Sequence, residues 1–570
     1  NDEFIKKNSA FLIKGMDFKI ILSKLENDDK LEYNKFKRSY SLPSDIDKVD
    51  VSLSSSPYRV WLFVDNNTLY YYSDTPGEIY MNEDSSYMFG IKDGKLENID
   101  LSGMNSKYVK NMKMMFQMNT TVKSINLKSF DTSNVTDMTE MFSACKKLEE
   151  LDVSSFNTSN VTSMGSMFSS CYILKELDLS NFDTSKVTNM GSMFNRCEKM
   201  TKLNISSFDT SNVTKLSYMF YDCYKLEELN VSHFNTSNAT TMSQMFNNCR
   251  SISVLDVSHF DTSKVTDMSY MFASCQKIDT FDVSHFDTSQ LRKATGMFWS
   301  CSGLKHLDVS RFDTSNVTIM ERMFTYCSSL LELDVSHFDT SRVTDMSEMF
   351  NGCSKLEVID VSNFNTSNVT DIGEMFSSCS KVKMLDVSKW NTSNVTNMSN
   401  LFSNCAALTA IDVSHFDTSK VTTMAYMFSY CTKLEELNLL NFNTSKVTTM
   451  AYMFDNCKLL KKLYLTSFDT SNVESVNAMF EWCESLTELD ISSFSTLKVK
   501  YMAYMFSCCL NITNIYISNE WNTSSVTSSN TMLFRCPKLP NYNPDYSYNS
   551  DYYKVGYAYA GDGGYLTLKV

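Results

Sequence analysis

Fifteen cysteines in this chain recur at a constant step without a slip, from Cys145, Cys171 and Cys197 through to Cys509. A series of thiols could hold zinc or exchange electrons, but a tetrahedral metal needs four convergent ligands. One thiol per period offers only a line. Free cysteine is among the most buried residue types, so the expectation is a ladder of packing thiols. Neighbouring strands lie about 4.8 Å apart, wider than the roughly 3.8 Å Cβ separation of a relaxed disulfide, and the ladder should therefore stay reduced. Cys508, out of phase beside Cys509, is the candidate for a reactive or pairing thiol.

Three other residue types could do chemistry. His233, His259, His285, His337 and His415 share one repeat slot just before an aromatic residue, which reads as decoration of the repeat; His306 alone sits elsewhere. No HExxH, GxSxG or phosphate-loop motif accompanies them, so no catalytic residue is assigned and the expectation is not an enzyme. An acidic column (Asp100, Asp152, Asp178, Asp256, Asp282, Asp308, Asp334, Asp360, Asp386, Asp412 and Asp490) faces outward. Each adjacent like-charged pair costs on the order of 1 kcal/mol even in water. Hydrogen bonds from the serine column and nearby lysines would offset this; weak calcium binding is the sharper alternative, and no other cofactor is implied. Asn134, Asn160, Asn212, Asn316, Asn368 and Asn394 each begin NVT, either as glycan acceptors or as polar residues that start a helix. The same slot holds Lys186, Lys264 and Arg342, which favours the structural role.

These positions require a periodic scaffold. Met141 and Phe142 return as Met167 and Phe168, and Leu148 and Leu151 as Leu174 and Leu177. The period runs from Leu96, in a degenerate turn with Asn119 in the cysteine slot, to Met532, Leu533 and Cys536, where one residue is inserted. From Met115 to Met532 the Met-Phe slot recurs in 17 turns, the signature of a solenoid. Within one turn, Val135, Met138, Met141, Phe142 and Cys145 fall at steps of three and four, which predicts a short helix with these side chains inward. Thr136, Thr139 and Glu140 would start it. Leu151, Asp152, Val153 and Ser154 then alternate in and out as a strand, and Leu148 and Phe156 close the turn. A lone turn cannot offset about 1 to 2 kcal/mol of backbone entropy per residue, so stacking is obligatory. The fold class expected is α/β, a solenoid of about 17 turns of 26 residues with caps at both ends.

The 570 residues contain only 15 glycines and 6 prolines, too few for compact modules on flexible linkers. Residues 1–92 read as an N-terminal α+β cap, with a helix through Phe18, Ile21, Leu22 and Leu25 and a hairpin turned at Asn66 and Asn67. Residues 93–536 form the solenoid, and 537–570 a tyrosine-rich C-terminal cap with a GDGG turn. The net charge of −14 argues against nucleic acid or an anionic membrane as partner, and no apolar run is long enough to span a bilayer. Asn1 is not an initiator methionine, as expected if an export signal has been removed.

The phrases MFSSC, LDVSHFDTSKVTDM and FDTSNVT resemble those of BspA-like leucine-rich-repeat surface proteins across roughly residues 96 to 536. The resemblance implies a right-handed leucine-rich-repeat solenoid, secreted or displayed on the cell surface, adhering to host or microbial proteins or glycans. The reading that follows is a non-catalytic, adhesin-like binding protein with a concave strand face; the alternative is a structural surface-layer, spacer or shielding component. Oligomeric state is left open.

One column locates the expected partner site. The residue ahead of the buried Leu or Ile is usually charged or polar, as at Glu150, Glu176, Lys202, Glu332 and Glu436, yet in three successive turns it is Val358, Met384 and Ala410. Exposed apolar patches with polar rims tend to mark interaction sites. His306, Asp308 and His337 on one flank, and Lys461, Lys462 and Tyr464 farther along, complete the candidate site.

Overall fold

The computed structural model describes residues 2–543 and 558–569, in two compact units, 1–278 and 279–570. Much of the expected C-terminal cap, residues 544–557 and Val570, lies outside the described residues.

The first unit opens with helix α1 (Asp2–Asn8) and helix α2 (Gly15–Glu26), the latter burying Phe18 and Leu22. The hairpin is present: Trp61–Asp65 pairs antiparallel with Thr68–Tyr72, and Asn66 and Asn67 turn it with φ of 45° and 57°, the paired positive values a two-residue I′ loop needs. Thr68–Tyr72 lies parallel to Lys35–Arg38, which pairs in turn with Asn98–Asp100 and that with Ser124–Asn126. The cap sheet thus continues into the repeat. The outermost strand, Lys48–Asp50, is short and charged, which protects an open edge. Repeat geometry is already present at Met88 and Phe89, whose ring stacks on Phe116 at 5.5 Å.

Beyond the cap the coils repeat in register. Isolated parallel bridges join Asp137, Ser163, Asn189, Lys215, Thr241 and Asp267 in the first unit, each a full period from the next. In the second unit they run from Lys293 and Ile319 to Tyr501 in the same steps. The step from Tyr501 to Ser528 is 27, whereas Asp490 to Tyr516 is still 26, so the inserted residue lies between 516 and 528, in the loop past the strand. Strand pairs such as Glu176–Asp178 with Lys202–Asn204 show the expected alternation, the middle leucine facing inward. At the end of the second unit, Thr567–Leu568 adds a parallel strand beside Asn514–Ile517, and the Lys569 ammonium bonds Asp490.

The helix expected in each turn is not formed, and the α of the α/β assignment is confined to the N-terminal segment among the described residues. Glu140 and Ala144 have φ of 56° and 59°, and the same two slots are left-handed in turn after turn. An α-helix cannot contain such residues. The amides of Met141, Ser143 and Cys145 instead close tight turns on the carbonyls three residues back, and those of Glu140, Phe142 and Ala144 donate sideways to Gly165, Met167 and Ser169 of the next coil. Half the amides serve the turn and half serve the stack. Thr136 and Thr139, read as a helix start, lie in this ladder; Thr139 Oγ1 is 2.8 Å from Ser163 Oγ.

The inward set is as expected: Val135, Met138, Met141, Phe142, Cys145 and Leu148 are fully buried. Their phenylalanines form a parallel stack, Phe142 to Phe168 at 5.6 Å in the first unit and Phe324 to Phe350 and on to Phe376 at 5.8 Å each in the second. A buried threonine, absent from the expected set, is also part of the core. Thr132 Oγ1 donates to the Asn157 carbonyl and accepts the Asn157 amide, both at 2.8 Å, and the motif recurs through Thr158 and Thr184. The hydroxyl satisfies two backbone groups that the coil corner would otherwise leave unpaired.

Candidate functional site

In the second unit, the column ahead of the inward leucine leaves large apolar side chains in solvent: Val358 is 70% exposed and Met384 78% exposed, with Ala410 exposed between them and Glu436. These are among the most exposed large hydrophobic residues of the chain, on a face otherwise lined by carboxylates and lysines. The flanking residues are spread along several coils. His306 sits on the strand His306–Leu307 with Nδ1 3.6 Å from the Glu332 carboxylate. Asp308 accepts the Ser310 amide at 2.9 Å. His337 is exposed, but its ring stands edge-on to Phe338 at 5.1 Å, in the loop past the strand. Lys461 and Lys462 are held by Glu435 and Glu436 at 2.9 and 3.8 Å, and Tyr464 is 39% exposed. The stripe is continuous; the flanks form a rim at some distance, with their cations already paired.

The acidic column has its compensation in place. The Ser154 hydroxyl and amide donate to Asp152 at 2.6 and 3.0 Å, and Ser336 and Ser414 repeat these bonds to Asp334 and Asp412. Those serine hydroxyls hold all three carboxyls below the usual range. Among the described residues, no group of three or more His, Cys, Asp and Glu side chains converges as metal ligands would.

The remaining slots are structural in the same sense. His233, His259 and His415 place Nε2 2.9 to 3.1 Å from the carbonyls of Ile205, Val231 and Val387 in the preceding coil. Asn134, Asn160 and Asn212 donate from their side-chain amides to Lys107, Ser133 and Ser185, and Lys186 then caps Asn160 at 2.8 Å.

Overlapping segments of the chain, 83–177, 138–257, 173–279, 226–328, 301–384, 374–486 and 435–546, match the family described as "Mycoplasma protein of unknown function, DUF285". The chain belongs to the DUF285 family. No curated protein matches it. Among solved structures, "Crystal structure of TLR13-ssRNA13 complex" aligns over 81% of this chain and 72% of that one, at 15% identity and a TM-score of 0.22.

The cysteine of the DUF285 repeat is a buried hydrogen-bond donor. Cys145 Sγ is 3.2 Å from the Phe116 carbonyl, and Cys171 and Cys197 repeat the contact to Phe142 and Phe168 at 3.3 Å. Burial pushes the Cys171 thiol up to about 12. Asn119, in the cysteine slot of the first turn, makes the equivalent bond to Phe89 at 3.0 Å. Cys508, expected to be reactive, is only 3% exposed, occupies a left-handed slot at φ 61°, and is raised by burial. All 17 cysteines are buried thiols outside any disulfide. Alkylation of the folded protein should therefore be negligible, and denaturation without reductant should expose nearly all of them to label, read by mass spectrometry. Pervasive crosslinks between coils would contradict this.

The first unit, 1–278, carries a further feature on its strand face. The strand face from Lys35 and Lys37 through Asn98, Asn126, Asp152 and Lys202 to Glu228 lines a groove of about 1170 Å³. Its walls are ordered by bonds such as Asn126 Nδ2 to Asp100 at 3.0 Å and Lys202 Nζ to Glu176 at 2.9 Å. The only hint in the sequence was the departure of Asn98, Ser124 and Asn126 from the usual charged pattern of these columns.

Proposed function

We propose that this chain is a non-catalytic binding protein of the BspA-like leucine-rich-repeat kind, secreted or held at the cell surface, which takes a protein partner on the strand face of its second unit. The exposure of Val358 and Met384 carries this reading. Fully burying such a side chain contributes about 1.5 to 3 kcal/mol, and a solvent-facing pair in successive coils has no role in the fold that would offset its hydration. Methionine adapts its shape to a partner, which suits a protein surface better than a sugar. His306, Asp308, His337, Lys461, Lys462 and Tyr464 supply the polar rim. The strand Thr567–Leu568, which covers the last repeat strand, weighs against end-to-end assembly as the main role.

Replacing Val358, Met384 and Ala410 together by Glu uses the residue found elsewhere in the column, so the melting curve should be unchanged. Partners captured from host and microbial surface proteins by the wild-type chain should bind the triple variant at least tenfold more weakly. Undiminished binding with unchanged melting would exclude the stripe.

A further inference from the structure

Apart from the strand-face groove, the start of the first unit holds a cleft of about 410 Å³ whose wall is apolar: Phe11, Leu12, Leu53, Met81 and Tyr108, with Ile5 contributed by α1. The volume is within the range of pockets that hold small molecules. The wall is braced from behind, Phe11 stacking on Tyr80 at 5.5 Å and Tyr80 packing on Tyr108 at 5.1 Å. Helix α1 borders this cleft without filling it, since none of its residues is buried and Phe4 is 68% exposed.

The rim carries charge with a definite sign. Asn82 is committed, its amide to the Leu12 carbonyl at 3.1 Å and its oxygen to the Asp84 amide at 3.1 Å, and Glu83 is held by Lys110 at 2.8 Å. The ammonium groups of Lys6 and Lys14, which also line the cleft, have no hydrogen-bond or ion-pair partner among the described residues. With Glu83 taken up by Lys110, Asp2 is the remaining carboxylate of the lining. In a chain of net charge −14, a local excess of cation beside an apolar cleft is a departure that selects a ligand class. A long apolar body with an anionic head satisfies both features: the body takes up the wall and the head meets the two ammonium groups, which bind carboxylate as point charges.

We propose that this cleft is a binding site for a medium-chain fatty carboxylate, with Lys6 and Lys14 holding the head group. The site is independent of the strand-face reading. Calorimetric titration of the full chain with decanoate should give saturable one-to-one binding. Decanol and decyltrimethylammonium, which share the tail and change the head, should bind at least tenfold more weakly. The surface variant Lys6→Glu/Lys14→Glu should lose at least tenfold toward decanoate with unchanged melting, and Leu53→Trp should block the cleft. Absence of saturable decanoate binding would overturn the proposal, as would equal affinity for the cationic probe or undiminished decanoate affinity in Lys6→Glu/Lys14→Glu. That surface variant needs no change in the core and decides the matter even if Leu53→Trp fails to fold.

Discussion

Phe350→Ala should destabilise the second unit by about 3 to 5 kcal/mol, the usual cost of emptying a large aromatic site in a close-packed core. Phe350 is fully buried between Phe324 and Phe376, each at 5.8 Å and within 10° of parallel, and its carbonyl accepts the Cys379 thiol at 3.2 Å. Removal of the ring leaves two faces without partners, and the flanking coils cannot close the gap without breaking the lateral bonds that set their spacing. In a repeat array, stability is nearly a sum of coil and nearest-neighbour contributions, so the loss should spread to adjacent coils. Hydrogen exchange should show amides from about 324 to 376 losing protection before those near either end. The exposed Lys355→Gln serves as a control and should stay within about 0.5 kcal/mol. Exchange protection equal to wild type in Phe350→Ala would mean that the ring stack does not hold the unit together.

Stability of the second unit should rise as pH falls from 8 toward 5. Asp455 is buried near Tyr426 and Tyr452, whose rings stack 4.5 Å apart, and Glu481 lies half-buried in the same slot of the next coil. Burial raises Asp455 to about 6 against the bonds it accepts from Asn456 and Ser429; burial and the Asp455 charge raise Glu481 to about 7. Both folded values exceed the unfolded ones, so the stabilising contribution is fully present below the unfolded pKa and is lost as pH rises through 6 and 7. At about 1.4 kcal/mol per pH unit below its folded value, Asp455 contributes on the order of 1 to 2 kcal/mol by pH 5, with the full value of about 3 kcal/mol reached only below its unfolded pKa. The serine-bonded aspartates act with the opposite sign, their contribution disappearing as pH falls through their lowered values, and together the two sets place the optimum in mildly acidic solution. Melting temperatures from pH 5 to 8 should fall steadily in the wild type and flatten in Asp455→Asn/Glu481→Gln. An equally steep profile in that variant would assign the effect to other groups.

Much of the coil was legible in the sequence because burial repeats with the chain. Val135, Met138, Met141, Phe142, Cys145 and Leu148 mark the interior, whereas the strand expected from Leu151 to Ser154 is not formed: Leu151 is half-buried, and the equivalent stretch pairs as a strand only in some coils, as at Glu176–Asp178. Backbone conformation over 138–145 was not legible from that spacing, since steps of three and four put side chains on one side of a helix and equally of a run of tight turns. A usable signal lay in the two left-handed slots: Glu140, Ser166, Tyr218, Gln244, Gly296 and Asn400 in one, and Ala144, Arg196, Asp222, Gly352 and Trp482 in the other. β-branched residues, which tolerate positive φ least, are nearly absent from both, with Thr531 the exception. The threonine ladder was missed because DTS reads as surface polarity until Thr132 is seen to bridge two backbone groups. Of the candidate site, the exposed stripe followed from its place ahead of the inward leucine in each coil, whereas the pairing of Lys461 and Lys462 depended on which side chains meet across coils.

The fixed lateral spacing also bears on inheritance. Coils bond to their neighbours through equivalent positions one period apart, so gaining or losing a block of that length in phase returns each side chain to an equivalent setting. A block one residue short would turn a strand's inward residues to solvent. Near-identical stretches such as FDTSNVT give recombination many places to misalign by whole coils and few to misalign harmfully. The length of the stack is then a variable that a lineage can increase or decrease in quantised steps, while single-residue slips are tolerated only where, as between 516 and 528, a loop past the strand takes up the excess.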